Sequence, residues 1–138
     1  MQATKAFASL VFFMPLICIA ATDPECLKHL GGAFAGVECY NGLSNDMAEE
    51  NKVLLSKISS TIPHGNKNKI LLKKYEKYRV GSKKYCVLSR DSYMGWVSEK
   101  KSVNPRYYDY DVVYHECIYD QLVEQNEFLK KILRNASQ

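Results

Sequence analysis

Three kinds of residue in this 138-residue chain have chemistry to offer: five cysteines, three histidines, and carboxylates that thicken around Asp109, Asp111, Glu116 and Asp120. A zinc site would need ligands at short fixed spacing, such as C-x-x-C or H-x-x-x-H. His29, His64 and His115 stand far apart, and the outer residues of His115-Glu116-Cys117 point in different directions on a helix. The histidines therefore read as ordinary polar positions, and no metal or cofactor is expected. Asp109 and Glu116 could be imagined as an acid/base couple, but acids gathered at the start of a helix are accounted for by the positive end of its dipole. The sequence contains no G-x-S-x-G elbow, H-E-x-x-H pair, phosphate loop or glycine-rich dinucleotide turn. No catalytic residue is assigned, and the chain is not expected to be an enzyme.

The cysteines point to a compartment rather than a reaction. Residues 1–21, MQATKAFASLVFFMPLICIAA, carry Lys5 early, an apolar run from Ala6 to Ile19, and then Ala20 and Ala21. Those are the three regions of a secretory signal peptide. The run is about 14 residues, short of the roughly 20 that a helix needs to cross a bilayer. Cleavage after Ala20 or Ala21 would leave one disulfide-stabilised domain over 22–138, with no membrane association expected after cleavage. It would also remove Cys18 and leave Cys26, Cys39, Cys86 and Cys117, an even set suited to an oxidising compartment. Losing Lys5 lowers the formal charge of +4 by one. No run of five or six basic residues occurs, so no nucleic-acid partner is expected.

Four cysteines allow three pairings, and sequence alone does not choose among them. Unbroken helix would hold Cys26 and Cys39 about 20 Å apart at about 1.5 Å per residue. A disulfide needs the two Cα atoms within about 7 Å. The glycines of LGGAFAGVECYNG supply a fold-back that makes this local pair possible. Cys86–Cys117 then follows as the partner pair, closing the segment between them. Cys26–Cys39 with Cys86–Cys117 is the favoured arrangement.

The elements that must position these cysteines read as helical, with no competing β-alternation. Asp23-Pro24-Glu25 has the chemistry of a helix start, with an N-cap acceptor and a proline in the first turn. Gly31, Gly32 and Gly36 predict a short helix, a turn, and a second short piece around Cys39. From Asn45 to Ser60, Met47, Leu54, Leu55 and Ile58 fall at helical spacing, with Asn51 off the stripe. Pro63 ends that helix, and PHGNKNK reads as an exposed connection. A further helix from about Asn68 into the upper eighties places Leu71, Tyr75, Tyr78, Ser82, Tyr85, Cys86 and Ser89 on one face. That face reads as core, with Lys74, Lys77, Arg79 and Lys84 solvated. Residues 90–110 form an irregular tyrosine-rich loop, partly helical near Tyr93 to Glu99. The last helix carries Tyr114, Cys117, Ile118, Leu122, Leu129, Ile132 and Leu133 as its apolar stripe. The expected fold is all-α, a small bundle of about four helices stapled by two disulfides.

One surface feature stands out. Nine of the ten tyrosines and the single tryptophan lie between residues 75 and 119. Tyr, Trp and Arg are the side chains that most often anchor protein interfaces.

The layout resembles the lysozyme inhibitor LprI-like family, small exported helical proteins with four cysteines. Cys26 and Cys39 correspond to its first cysteine pair, NDMAEENKVLL to its second element, YEKYRVGSKKYC to its aromatic-arginine helix, and HECIYDQLVEQNEFLKKIL to its C-terminal helix. Val80 stands where the pattern has an aspartate, and Leu54 where it has a tyrosine. The resemblance implies a periplasmic protein that binds a lysozyme-type or other peptidoglycan-degrading enzyme. Such a protein would fill the acidic cleft, where two carboxylates hydrolyse the glycan, with aromatic and cationic side chains. Tyr93, Trp96, Arg106, Tyr107 and Tyr108 are then the candidate partner-binding residues. An immunity protein that neutralises a delivered antibacterial toxin, and an envelope structural or stress protein whose tyrosines are core, are the alternative readings.

Overall fold

The computed structural model describes residue 26 and residues 32–96 and 107–136, with 107 and 108 given by backbone alone. The expected leader, the Asp23-Pro24-Glu25 helix start, His29 and Arg106 lie outside the described residues. Among the described residues four α-helices form: α1 (Gly32–Thr61), α2 (Asn68–Ser82), α3 (Cys86–Tyr93) and α4 (Tyr107–Ala136). A single 3-10 turn, Lys83–Tyr85, joins α2 to α3, so the two make one interrupted rod. No strand occurs among the described residues.

Cross-helix contacts fix the directions of the three rods. Gly36 meets Val112, Tyr40 meets Glu116 and Tyr119, and Asn51 meets Leu122. The partners advance together, so α1 and α4 run parallel. Tyr75 meets Phe128, Arg79 meets Gln121, and Cys86 joins Cys117. These partners run in opposite order, so the α2–α3 rod returns antiparallel between the two 30-residue helices.

The α1–α4 seam has a near-heptad rhythm that explains the parallel packing. Tyr40, Ser44, Asn51, Leu54 and Ile58 are buried on α1, and Leu122, Gln125, Asn126 and Leu129 on α4. Spacings that alternate between three and four keep one face toward the partner. At one end Leu54, Ile58 and Leu129 form the apolar core, joined by Leu72, Tyr75, Ile132 and Leu133. Burying each such aliphatic side chain contributes roughly 1.5–3 kcal/mol. At the other end the Tyr40 hydroxyl donates to Glu116 Oε1 at 3.2 Å. Between them lies a polar layer in which Asn51 Nδ2 donates to the Leu122 carbonyl at 2.9 Å. The sequence pattern set Asn51 off the apolar stripe, yet it is 2 % exposed.

Two expectations about helix boundaries are corrected. The short helix and separate piece around Cys39 are replaced by one helix running from Gly32 through Thr61. The fold-back comes earlier, at the head of α1, where Gly32 has φ +72°. Gly36, expected to interrupt the helix, is buried inside it. A Cβ there would meet Val112 Cγ2 at 3.3 Å, so its lack of a side chain lets α1 and α4 approach. Both ends of the segment expected as a loop, 90–110, are helical, whereas 97–106, including most of the helical piece expected near Tyr93 to Glu99, lie outside the described residues. Tyr93 closes α3, and Tyr107 to Tyr110 open α4.

Both favoured disulfides form. Cys26–Cys39 has Cα atoms 5.4 Å apart and Cys86–Cys117 has them 5.6 Å apart. Among the described residues no helix is long and apolar enough to cross a membrane.

Candidate functional site

The residues proposed to meet a partner start where α3 ends. Met94 is the C-cap of α3. Gly95 N–H donates to the Ser92 carbonyl at 3.1 Å and Trp96 N–H to the Asp91 carbonyl at 2.8 Å. This pair of bonds is a Schellman cap, which needs a left-handed residue after the cap. Gly95 supplies it with φ +67°. Trp96 also adopts a positive φ, 64°, a conformation rare for a bulky side chain and held only when its surroundings demand it. Tyr93 and Trp96 are 69 % and 68 % exposed. They flank the cap of α3, a helix whose first residue is anchored to α4 by a disulfide.

Beneath that end, the Arg90 guanidinium pairs with Asp91 Oδ1 at 2.9 Å and lies 6.0 Å from the Tyr114 ring. Tyr107 and Tyr108 are placed in the first turn of α4 by their backbone, and Arg106 lies outside the described residues. Of the five candidates, Tyr93 and Trp96 are thus exposed three residues apart at the end of α3, and the side chains of the other three are not among those described.

The disulfide end is organised by two residues that sequence patterns missed. Arg79, expected to be solvated, turns inward and donates to the Gln121 carbonyl. Ser82 Oγ lies 2.8 Å from the Arg79 carbonyl and 3.0 Å from Gln121 Oε1. Gln121 Nε2 approaches Cys86 Sγ at 3.3 Å. Arg79, Ser82 and Gln121 thus lock the α2–α3 rod against α4 beside the disulfide. Partners 39 to 42 residues apart in the chain leave no local signal.

This locking also overturns the stripe expected to be core. Leu72, Tyr75, Arg79, Ser82 and Cys86 face inward, whereas Leu71, Tyr78 and Tyr85 are 62 %, 68 % and 55 % exposed. Two apolar series run along this rod at helical spacing, and the disulfide with Arg79 selects which one faces α4. The outward series is interleaved with lysines. Lys74, Lys77, Tyr78, Lys84 and Tyr85 line one shallow depression, and Lys67, Ile70, Leu71 and Lys74 line the next.

The acidic cluster of α4 does not assemble into an acid/base pair. Glu116 is engaged by Tyr40, while Asp109 is exposed in the first turn. Burial, with Glu124 adding repulsion, pushes the Asp120 carboxyl above its usual range. Burial also pushes His115 below its usual value, with Asp111 opposing. Among the described residues no group of three or more His, Cys, Asp or Glu side chains is arranged to hold a metal. At the core end, Ile58, Ile62, Leu72, Tyr75, Phe128 and Ile132 line an apolar groove of about 530 Å³. Comparison with the models of known protein families, with curated proteins and with solved structures finds no match for this chain.

Proposed function

We propose that this chain is an exported, non-enzymatic binding module that inhibits a lysozyme-type or other peptidoglycan-degrading hydrolase by seating an aromatic end in its cleft. One observation carries the reading. Tyr93 and Trp96 project from a capped helix end whose helix is tied to α4 through Cys86–Cys117. Tyr and Trp have few rotatable bonds to immobilise and a large area to bury, and a braced helix end holds their backbone, which is what an interface anchor requires. Two disulfides suit an exported protein, and the periplasm is the compartment where such an inhibitor would meet its target. The resemblance to the LprI-like family in cysteine layout supports the same reading.

The test is inhibition. The oxidised protein, mixed with periplasmic and host lysozyme-type hydrolases in a cell-wall clearing assay, is expected to inhibit at least one of them at micromolar concentration or below. Trp96→Ala is expected to weaken that inhibition by about 30-fold, the loss of an interface anchor worth roughly 2 kcal/mol. A protein that retains and inhibits none of these hydrolases at micromolar concentration would sink the proposal.

A further inference from the structure

We infer that the outward face of α2 is a docking surface for an anionic phospholipid bilayer, on which the protein lies peripherally. The inference goes beyond the hydrolase reading and does not depend on it. It starts from the two shallow depressions that share Lys74, so that Lys67, Lys74, Lys77, Lys84, Tyr78 and Tyr85 belong to one continuous surface. At about 100° per residue, Ile70, Leu71, Lys74, Lys77 and Tyr78 fall within about 120° of the α2 circumference, with Lys67 just before the helix and Lys84 and Tyr85 in the 3-10 turn after it. Glu76, the only carboxylate in α2, falls outside that arc. No carboxylate among the described residues forms an ion pair with Lys67, Lys74, Lys77 or Lys84. The face is therefore cationic, uncompensated and studded with exposed apolar groups.

The kind of cation selects the occupant. Specific protein interfaces favour arginine and exclude lysine from their centres. Here the helix's one arginine, Arg79, turns inward to the Gln121 carbonyl, and every outward cation is a lysine. Lysines add nearly independently toward an anionic lipid surface. Their stems can lie along apolar groups while the ammonium reaches the headgroups, and tyrosine rings settle at that same depth. The depressions are shallow and open, which suits a fluid surface better than a shaped ligand. Among the described residues no helix is suited to spanning, so the mode is lying on the bilayer, as basic amphipathic helices do.

The experiment is co-sedimentation of the processed, oxidised protein, its N-terminus verified by mass spectrometry, with vesicles. One set contains phosphatidylcholine with about one third phosphatidylglycerol, and the other pure phosphatidylcholine. Binding is expected to the anionic vesicles alone and to fall steeply as salt rises. Each lysine is worth about fivefold in partition near an anionic surface, so K74E/K77E should lose at least 25-fold by roughly that figure squared. K52E/K57E, which changes net charge equally on the exposed face of α1, should lose far less. Equal loss in the two double variants, equal binding to both vesicle types, or no binding to anionic vesicles would overturn the inference. So would tight binding to soluble polyglutamate that vesicles fail to displace, because the face would then belong to an acidic protein.

Discussion

At the residue scale, two glycines on the α2–α3 rod separate backbone need from happenstance. Gly81 lies one residue before the end of α2, inside the continuous α2–α3 rod, without a positive φ, and a Cβ added there meets nothing within 4 Å. Gly81→Ala is therefore expected to stabilise the protein by about 0.5–1 kcal/mol, the helix-propensity gain of alanine. Gly95 sits at φ +67° in the cap below Trp96, so Gly95→Ala should cost about 1–2 kcal/mol, the penalty of a side chain in the left-handed region. Urea unfolding of the oxidised variants checks both, and two shifts of the same sign would contradict the assignment. His115 gives the pH dependence. Its folded-state pKa is lowered by burial, so the folded chain binds this proton less readily than the unfolded chain. The contribution is fully present above the ordinary value of 6.5 and is lost as the pH falls from there through the lowered folded-state value. His115→Gln should flatten the decline in unfolding free energy between about pH 7 and pH 5, a window set by the unperturbed value near 6.5. The paired cysteines were legible at this scale because disulfide geometry limits the options. Arg79 and Gln121 were not, since their roles depend on which face of α2 turns inward.

At the element scale, the polar layer between α1 and α4 fixes how the two long helices align. Asn51 and Asn126 are 2 % and 1 % exposed amid Leu54, Leu122 and Leu129. Sliding one helix by a turn would part Asn51 Nδ2 from the Leu122 carbonyl and leave that buried amide without its partner, at the cost any buried polar group then incurs. Asn51→Ala loses the bond to the Leu122 carbonyl and leaves a void, and should lower the unfolding free energy by about 1–3 kcal/mol. On α4, burial raises the Asp120 carboxyl, and Glu124, a like charge four residues on, adds to the rise. Asp120→Asn should stabilise by about 0.2–0.5 kcal/mol at neutral pH and low salt, the usual size of an i,i+4 charge repulsion. The gain should shrink as salt is added, and a thermal melt that is insensitive to salt would argue against that cause. The stop at Pro63 and the apolar stripe of α4 could be read from the sequence because proline chemistry and a strong period are local. Asn51 could not, because a polar residue in a seam looks like a surface residue. Gly36 could not either, because its neighbour Val112 lies on a helix far along the chain.

At the scale of the whole molecule, the three rods are not held equally. The α1–α4 pair has the apolar core and the polar layer, whereas α2 buries only Ser82 fully and the α2–α3 rod leans on the Cys86–Cys117 bridge with its Arg79–Gln121 cluster. An all-α bundle with two staples was readable from composition, helical period and cysteine parity, because each of those signals belongs to the chain as a whole. This uneven grip was not, since it depends on which apolar series of α2 faces inward. The bridge closes 31 residues and Cys26–Cys39 closes 13. On a chain-entropy argument the first contributes about 3.7 kcal/mol and the second about 2.9 kcal/mol. The location of the loss discriminates more sharply than its size. Cys86→Ser/Cys117→Ser should release the α2–α3 rod while α1 and α4 remain paired, because the contacts of that pair do not pass through the bridge. Native-state hydrogen exchange on this variant should show amides of 72–90 losing protection by tenfold or more, with those of 51–58 and 122–129 nearly unchanged. Uniform loss across all three rods would mean that the bundle opens as one unit and that the bridge does not act locally.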